Sequence, residues 1–258
     1  MSCPIDPHAP VPPEDLFEAP RPASFPPLMQ GEELAAGDPF AKACTRAMLG
    51  CDSGLIIYRI SADHVRAALV LAPEQALAHA MRALPACALG LQNAIGALAP
   101  PEVAVHLGWD GAIWVNGARA GAMQVAASTT RPEDEPDWLV IGLTLQRLPR
   151  GEGEGGLDPT RTSLIEEGCG DIDPVRLLES WARHALVWLS RLEGGNLRAL
   201  HTDWRGLAHG LGKEVTLGLH GQKISGHFLG IDEDFSMLLR QGEATRAIAL
   251  TDLLEAET

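Results

Sequence analysis

The sequence predicts an α+β protein that ends in a small β-barrel, and three patterns indicate this architecture. Between 175 and 192, apolar residues recur at helical spacing after Asp173 and Pro174, a favourable N-cap followed by proline at the first helical position. Asn116 and Gly117 lie between two β-rich runs, which is the strongest short signal of a hairpin. After Trp204, four short strands separated by turn residues fill about 50 residues, a texture typical of a small barrel.

The elements predicted from residue 40 onward mix helices and strands. Pro73 is interpreted as a helix start and Pro85 as the break between two helices. A domain boundary near 200–208 divides the folded chain into 38–203 and 204–258. In chain order the predicted elements are a helix at 40–49, a turn at 50–54, strands at 55–60 and 65–71, helices at 73–84 and 86–98, strands at 103–107, 112–115, 119–126 and 138–145, a loop at 147–160, a helix from Asp173 to Gly194, and barrel strands at 214–219, 223–231, 235–240 and 244–250.

Residues 1–37 are predicted to form a disordered, proline-rich acidic tail. Of the 19 prolines in the chain, 10 fall within the first 39 residues. Proline prevents regular backbone hydrogen bonding, and the tail has too few large apolar side chains to offset the entropy of ordering. Only the SFPPLM run at 24–29 is a candidate for an extended strap on the folded body.

The charge balance disfavours nucleic acids and anionic membrane surfaces as partners. The chain has 34 acidic and 20 basic side chains, a formal net charge of −14, and no basic run. Its five cysteines are odd in number and lack a CxxC, which disfavours a disulfide framework or a zinc ribbon. No signal peptide or membrane span is readable, so we expect a soluble cytoplasmic protein.

The lysines are few, and their positions matter for any chemistry assigned to the larger domain. They are Lys42, Lys213 and Lys223, so no lysine lies between 43 and 212.

The C-terminal strands and several upstream motifs resemble the biotin/lipoate–protein ligase family. The segments DWRGL, GKEVTLGL and GHFLGIDEDFSMLL follow one another within 203–239, as in the C-terminal domain of bacterial biotin–protein ligases. Upstream, VAVHLGWD at 103–110 is similar to the strand that ends in K-W-P-N-D, and IWVNGARAG at 113–121 to the hairpin with K-x-A-G. LVIGLTL at 139–145 is similar to the G-I-G-x-N strand, and TSL at 162–164 to the Thr-Ser-Leu before the long helix. The resemblance covers roughly 40–254.

This resemblance implies a mixed β-sheet backed by helices, of the class II synthetase/biotin–protein ligase-like type, with an SH3-like barrel after it. It also implies a reaction in which ATP and magnesium activate biotin or lipoate as an acyl-adenylate, which a lysine of a carrier protein then attacks. Cations and N–H donors aimed at the phosphoryl oxygens stabilise that transition state.

Several groups that the family uses are absent from this sequence. The family loop, G-R-G-R-x-G-R or R-R-x-x-G-G-G, corresponds to YRISADHVRAAL at 58–69, which has no glycine and whose basic groups are Arg59, His64 and Arg66. The position of the family lysine before x-A-G falls on Ala118, with Arg119 beside it. Arg119 is a candidate for binding a phosphate or carboxylate through two hydrogen bonds.

Two alignments of the K-W-P-N-D motif are open. Aligning on aspartate places His106 at the lysine and Asp110 at the aspartate, with Trp109 at the asparagine, and preserves the strand alternation. Aligning on tryptophan places Gly108 and Ala112 there instead. We prefer the first alignment. The later family asparagine falls on Gln146 or Leu145.

Cys169 and two histidines near the domain junction are interpreted as structural residues rather than as members of a functional site. Octanoyl transferases of this superfamily use a cysteine that precedes T-S-L, whereas Cys169 follows it, so Cys169 is predicted to be a small buried residue. His201 and His209 flank the domain junction and are predicted to be surface residues. The sequence therefore predicts catalytic candidates and cofactor-binding candidates but no metal ligands: His106, Asp110 and Arg119 in the first group, and Arg59, Trp109, Gly121 and Gln124 in the second.

The functional hypothesis is a divergent member that binds a carboxylic-acid cofactor or its adenylate, a biotinyl or lipoyl carrier domain, or both, with catalysis in doubt. The alternative is an active ATP-dependent ligase or acyltransferase that loads biotin, lipoate or octanoate onto a carrier-protein lysine. ATP, magnesium and biotin or lipoate are the cofactors expected if the protein is active.

Overall fold

The structure is a computed structural model that describes residues 22–149 and 158–254. Its elements lie in one mixed sheet, one small antiparallel sheet and the helices that pack on them. In chain order they are β1 (Gln30–Glu33), α1 (Pro39–Met48), β2 (Leu55–Ile60), β3 (His64–Leu71), α2 (Leu77–Ala80), α3 (Ala83–Leu98), β4 (Val105–Leu107), β5 (Ala112–Val115), β6 (Ala118–Ala127), β7 (Leu139–Gln146), α4 (Pro174–Glu193), α5 (Leu197–Leu207), β8 (Glu214–Leu219), β9 (Gln222–Ile231), β10 (Met237–Gln241), β11 (Ala244–Ile248) and a 3-10 turn at Leu250–Leu253.

The seven-stranded sheet has the order β1-β2-β3-β7-β6-β5-β4, and the four-stranded sheet has the order β11-β10-β9-β8. Only β1 and β2 pair in parallel, and all other neighbours in these two sheets are antiparallel. The predicted α+β fold, a mixed sheet backed by helices with a small C-terminal β-domain of SH3-like character, is confirmed.

The two faces of the large sheet differ in how they are covered. Alternate residues such as Tyr58, Val65 and Leu143 point to the inner face, where α3 and α4 complete the main core. On the outer face, α1 covers one half, where Ile57 and Ala68 pack on its alanines. None of the described helices covers the other half of the outer face.

The inner layer depends on a close approach between α3 and α4. A Cβ on Gly90 would lie 2.7 Å from the backbone nitrogen of Ala185, so the helices contact each other through their backbones at this point. Nearby, the indole of Trp181 is fully buried and donates a hydrogen bond to the Cys87 carbonyl oxygen at 3.1 Å. These contacts fix α3 and α4 against each other on the inner face of the sheet.

The small C-terminal sheet packs against the large domain and shares its core. Phe228, Phe235 and Leu239 are buried in the same apolar cluster as the residues of α3 and α4. At the junction, the strand residue Leu107 bridges to Ala208, just after α5. The helix α5 crosses the boundary predicted near 200–208 and was not itself predicted. The division into 38–203 and 204–258 stays a prediction.

The helix predicted at 73–84 is wrong. Residues 73–76 are not helical, Leu77–Ala80 forms one short turn of helix, and a separate helix, α3, begins at Ala83 with Pro85 in its first turn. Proline is tolerated there because the first N–H groups of a helix have no intrahelical acceptor. Ahead of it, the backbone N–H of Leu77 is donated to the Asp134 carbonyl oxygen at 2.7 Å, so a distant loop supports this segment.

The structure also differs from the predicted disorder at the end of the N-terminal tail. Strand β1 pairs in parallel with β2, although its sequence, QGEE, has no strand-like pattern. The extended strap on the folded body is confirmed: the Ser24 N–H is donated to a Glu179 carboxylate oxygen at 2.7 Å, and the Phe25 ring lies 5.7 Å from that of Tyr58. Residues 1–21 lie outside the described part of the chain.

Among the helices of the described segments, none combines the length and apolar character that a bilayer span requires.

Candidate functional site

The uncovered half of the outer face forms a shallow floor across four strands. The strand register places Arg59, Arg66, Thr144 and Ala122 side by side on β2, β3, β7 and β6. All four are partly exposed. Three strand spacings make this row about 14 Å long, which suits a small organic ligand. We call these four residues the floor.

One wall of the floor is made by an aromatic ring and an amide. A Cβ on Gly142 would lie 2.6 Å from Cδ2 of Phe40 and 2.8 Å from Cγ of Gln124. The Phe40 ring, at the start of α1, therefore lies directly on the Gly142 backbone. Gln124 is exposed beside it, so the structure brings this predicted cofactor-binding residue to the edge of the floor.

The connection between β2 and β3 at the other end of these strands is a closed turn of three residues. The Ser61 N–H is donated to the His64 carbonyl oxygen at 2.9 Å, and the Ser61 hydroxyl is donated to Asp63 at 2.6 Å. That hydroxyl, with smaller contributions that include His64, lowers the pKa of Asp63 to about 2. His64 Nδ1 lies 2.7 Å from the second carboxylate oxygen of Asp63. The turn is thus short, rigid and anionic at its tip.

Arg59 and Arg66 are direct cross-strand partners on the floor. Within 22–149 and 158–254 neither guanidinium forms an ion pair, whereas Arg46, Arg82 and Arg131 each bind a carboxylate. Like charges placed directly opposite each other destabilise a sheet. A bound anion between the two guanidinium groups would reduce that repulsion.

Arg119 lies on the opposite side of the floor. A β-bulge in β6 shifts the register so that Gly121 pairs with Ile113 but Arg119 pairs with Trp114. The Arg119 Nε–H is donated to the Gly121 carbonyl oxygen at 3.3 Å, which directs the side chain along β6 towards the floor. Arg119 lies on the second strand from Arg66, three residues along β6 from Ala122, which is the β6 residue level with Arg66.

Gly121, predicted to bind a cofactor, has a backbone role at the bulge. A Cβ there would lie 2.3 Å from the Thr144 carbonyl oxygen and 2.9 Å from Cδ2 of Leu145. Only glycine lets β6 and β7 approach this closely. Next to the bulge, the backbone of Arg119 pairs with residues 160–162. The Arg119 N–H is donated to the Thr160 carbonyl oxygen at 2.9 Å, and the Thr162 N–H is donated to the Arg119 carbonyl oxygen at 3.0 Å.

The K-W-P-N-D-like segment forms β4 and the turn after it. His106 lies on the outer face, between the buried residues Val105 and Leu107. A carboxylate oxygen of Asp110 accepts a hydrogen bond from the Ala112 N–H at 3.2 Å and so stabilises its own turn. Trp109 is buried and donates its indole N–H to the Phe235 carbonyl oxygen at 2.8 Å, so its side chain packs into the domain junction and does not reach the floor.

Sequence reasoning missed a stacked pair of rings at the domain junction. The Trp114 and His209 rings are 3.8 Å apart and 5° from parallel. His209 was predicted to be a surface residue but is partly buried. Burial lowers its pKa, and the charges of His106 and Lys213 lower it further, while Asp110 acts in the opposite direction. No local signal predicts this stack, because it joins residues 95 positions apart.

Cys169 is buried, as predicted, and its Sγ lies 3.7 Å from the Glu167 carbonyl oxygen. Burial, and then the Glu167 charge, raise the pKa of this thiol, which disfavours the reactive thiolate. Within the described segments, no group of three or more histidine, cysteine, aspartate or glutamate side chains is arranged to hold a metal ion.

We expect acid to destabilise the fold partly through His209. Its pKa is lowered from an ordinary 6.5, so the unfolded state binds its proton first, and this contribution to stability is lost as the pH falls below 6.5. Urea unfolding at pH 7.5 and 5.5 should show a smaller loss of stability in His209→Gln than in the wild type. The exposed His79→Gln is the control and should lose as much as the wild type. Equal losses in all three proteins would contradict this assignment.

The topology defines the class of protein first. A biotin protein ligase from Aquifex aeolicus, in a complex with biotin and ATP, superposes with a TM-score of 0.67 at 16% identity, over 85% of this chain and 95% of that one. The fold is therefore that of biotin protein ligases.

The family follows from the sequence match. The model of the biotin/lipoate A/B protein ligase family matches residues 25–206, and the chain belongs to this family. A second model, of the domain of unknown function DUF4444, matches residues 211–256. A biotin protein ligase-like protein of unknown function from Silicibacter is 55% identical, with a TM-score of 0.84 over 91% of this chain and all of that one. The biotin–[acetyl-CoA-carboxylase] ligase of Paracoccus denitrificans is 25% identical over 181 residues, 70% of this chain and 75% of that protein.

Proposed function

We propose that the protein binds a small carboxylic acid, or its adenylate, on the floor of the outer face and does not activate the acid itself. The observation that carries the proposal is the directly opposed pair of Arg59 and Arg66, which has no carboxylate partner in the described segments. Planar guanidinium groups bind carboxylates through two parallel hydrogen bonds. One carboxylate between the pair would contact both guanidinium groups and reduce their mutual repulsion.

The remaining residues of the floor suit the body of such a ligand. Thr144 and Ala122 are small and leave room above the sheet, while the Phe40 ring offers an apolar wall. Gln124 can donate or accept hydrogen bonds at this wall. Arg119, on the far side, can hold a second polar group of the ligand. The roles predicted for His106 and Asp110 stay predictions.

The turn between β2 and β3 does not fit the triphosphate of ATP. Adenylation brings a carboxylate against the α-phosphate, so the site must present several cationic or N–H donors to the phosphoryl oxygens. The three-residue turn is too short to cover the floor, and the low pKa of Asp63 keeps a negative charge at its tip. No lysine occurs between 43 and 212. Loss of one such donor typically costs about 10²–10³ in rate.

The alternative is an active ligase or acyltransferase that loads biotin, lipoate or octanoate onto a carrier lysine. The match to the Paracoccus biotin ligase supports it. A biotinyl or lipoyl carrier domain is a possible partner under either proposal, because both leave the floor exposed to an approaching carrier.

Calorimetric titration of biotin, lipoate and octanoate, together with ATP–pyrophosphate exchange, distinguishes a protein that only binds the acid from an active ligase. We expect saturable binding of at least one acid and no exchange with any of them. Arg59→Gln and Arg66→Gln should each weaken binding at least tenfold, because one of the two opposed guanidinium groups is lost. Arg119→Ala should have a smaller effect. Arg240→Gln, on the exposed face of β10, removes the same charge and should change nothing.

Two outcomes would contradict the proposal. Exchange above background would establish the ligase alternative. Binding that is equal in Arg66→Gln and Arg240→Gln, or no binding of any of the three acids, would remove the floor as the binding site.

A further inference from the structure

The floor is bounded on both sides in the direction of the strands. Two residues before Thr144 on β7, Gly142 lies beneath the Phe40 ring, about 7 Å from Thr144 along the strand. Two residues after Thr144, Gln146 pairs with His64, and both side chains are buried, with 7% and 8% exposed. The floor is therefore a strip one row of side chains wide, which runs across the strands.

The wall at Phe40 is held by the helix that carries it. Asp38 caps α1 by accepting the backbone N–H groups of Phe40 and the next residue, at 3.4 and 3.3 Å. The Phe40 ring is half-buried and packs on the apolar cluster beneath α1. In this cluster, Ile57 and Ala68 share the strand row of Gly142 and have no exposed surface. The ring therefore cannot move away from the floor without disturbing the packing of α1.

The width of the floor limits the shape of the acid that it binds. With its carboxylate between Arg59 and Arg66, a straight alkyl chain can run across Thr144 and Ala122 within the single row. A fused ring system is wider than a chain, so one side of it would meet the Phe40 ring. Each methylene group that lies on the floor buries apolar surface and raises the affinity about fourfold.

We propose that Phe40 sets the width of the floor and thereby selects a straight-chain carboxylic acid over an acid with a fused ring system. The inference rests on the proposed function and deepens it, because it names the class of acid and the residue that selects it. Phe40 acts by contact with the body of the ligand, whereas Arg59 and Arg66 bind its carboxylate. The two roles can therefore be separated by substitution.

Calorimetric titration of hexanoate, octanoate and biotin into the full chain tests this selection. Octanoate should bind about tenfold more tightly than hexanoate, because two more methylene groups lie on the floor. Octanoate should also bind at least tenfold more tightly than biotin, because the fused rings of biotin would meet the Phe40 ring.

Removing the ring should remove the selection. In Phe40→Ala the preference for octanoate over biotin should fall at least fivefold, because the wall no longer limits the width. Phe40→Leu keeps more of the packing under α1 and should give an intermediate preference. Phe25→Ala is the matched control, since it removes another half-buried ring, which lies beside Tyr58 at the inner face, and it should leave the preference unchanged. Thermal unfolding shows whether each variant is folded.

Two outcomes would overturn the inference and leave the proposed function intact, provided that Arg66→Gln still weakens binding. One is biotin binding as tight as that of octanoate in the wild type, and the other is an equal preference in Phe40→Ala and Phe25→Ala. If none of the acids binds, the inference fails together with the proposed function.

Discussion

Replacing Trp109 by alanine is expected to lower the free energy of unfolding by about 3–5 kcal/mol. The side chain is 4% exposed, and its indole N–H is the donor to the Phe235 carbonyl oxygen at the domain junction. The substitution removes a large buried ring between the two domains and leaves that carbonyl without its donor. Urea unfolding measures the loss. Trp138→Ala, at a partly exposed position, should cost clearly less.

Trp109→Phe tests whether this residue also binds a cofactor. Phenylalanine keeps most of the apolar contact but not the N–H, so we expect a loss of about 1–3 kcal/mol from the unsatisfied carbonyl. A purely structural Trp109 predicts unchanged affinity for the acid in the folded variant. A folded Trp109→Phe protein that no longer binds the acid would instead support the cofactor role predicted from sequence.

The elements that were predicted correctly from the sequence are specified by residues that are close together in the chain. The Asn116-Gly117 hairpin forms because both residues adopt positive φ, 49° and 92°, which asparagine and glycine tolerate and a tight hairpin needs. Helix α4 begins after Asp173, whose side chain accepts the Val175 N–H at 2.9 Å, and Pro174 follows the cap as predicted. In both cases the residues that specify the structure are neighbours in the chain.

The elements that were missed depend on distant partners. QGEE at Gln30–Glu33 becomes a strand because β2 supplies its hydrogen bonds, and nothing within the four residues indicates this. In the same way, Pro85 fits inside α3 because the helix starts two residues earlier. Local propensity cannot detect the strand, since its pairing with β2 decides it, whereas the error at Pro85 lies in where the helix begins.

Prediction of the candidate site is limited in the same way, because contacts between distant residues decide which side chains meet. Arg59 and Arg66 could be identified as the basic residues of one segment, but their direct opposition depends on a three-residue turn between β2 and β3. Trp109 lies next to the predicted His106 and Asp110 in sequence, yet the chain turns there and its indole enters the junction. The motif therefore located the region, while register and turn geometry decided which side chains face the floor.

Two glycines of helix α3 should respond in opposite directions to the same substitution. Gly90→Ala is expected to destabilise the protein by about 1–3 kcal/mol, because the new methyl group would lie 2.7 Å from the Ala185 nitrogen and 2.8 Å from its Cα. Backbone atoms of α4 cannot move aside as a flexible side chain can, so the two helices must separate. The improved helix propensity of alanine offsets only part of this cost.

Gly96→Ala is the matched control in the same helix. Around its Cβ, the nearest atom is Nε2 of Gln92 at 3.8 Å, an ordinary contact, so alanine should stabilise the protein by up to about 1 kcal/mol through helix propensity alone. Urea unfolding of the two variants and the wild type measures both changes. If Gly90→Ala were as stable as Gly96→Ala, α3 and α4 would not be in the close backbone contact that the structure shows at Ala185.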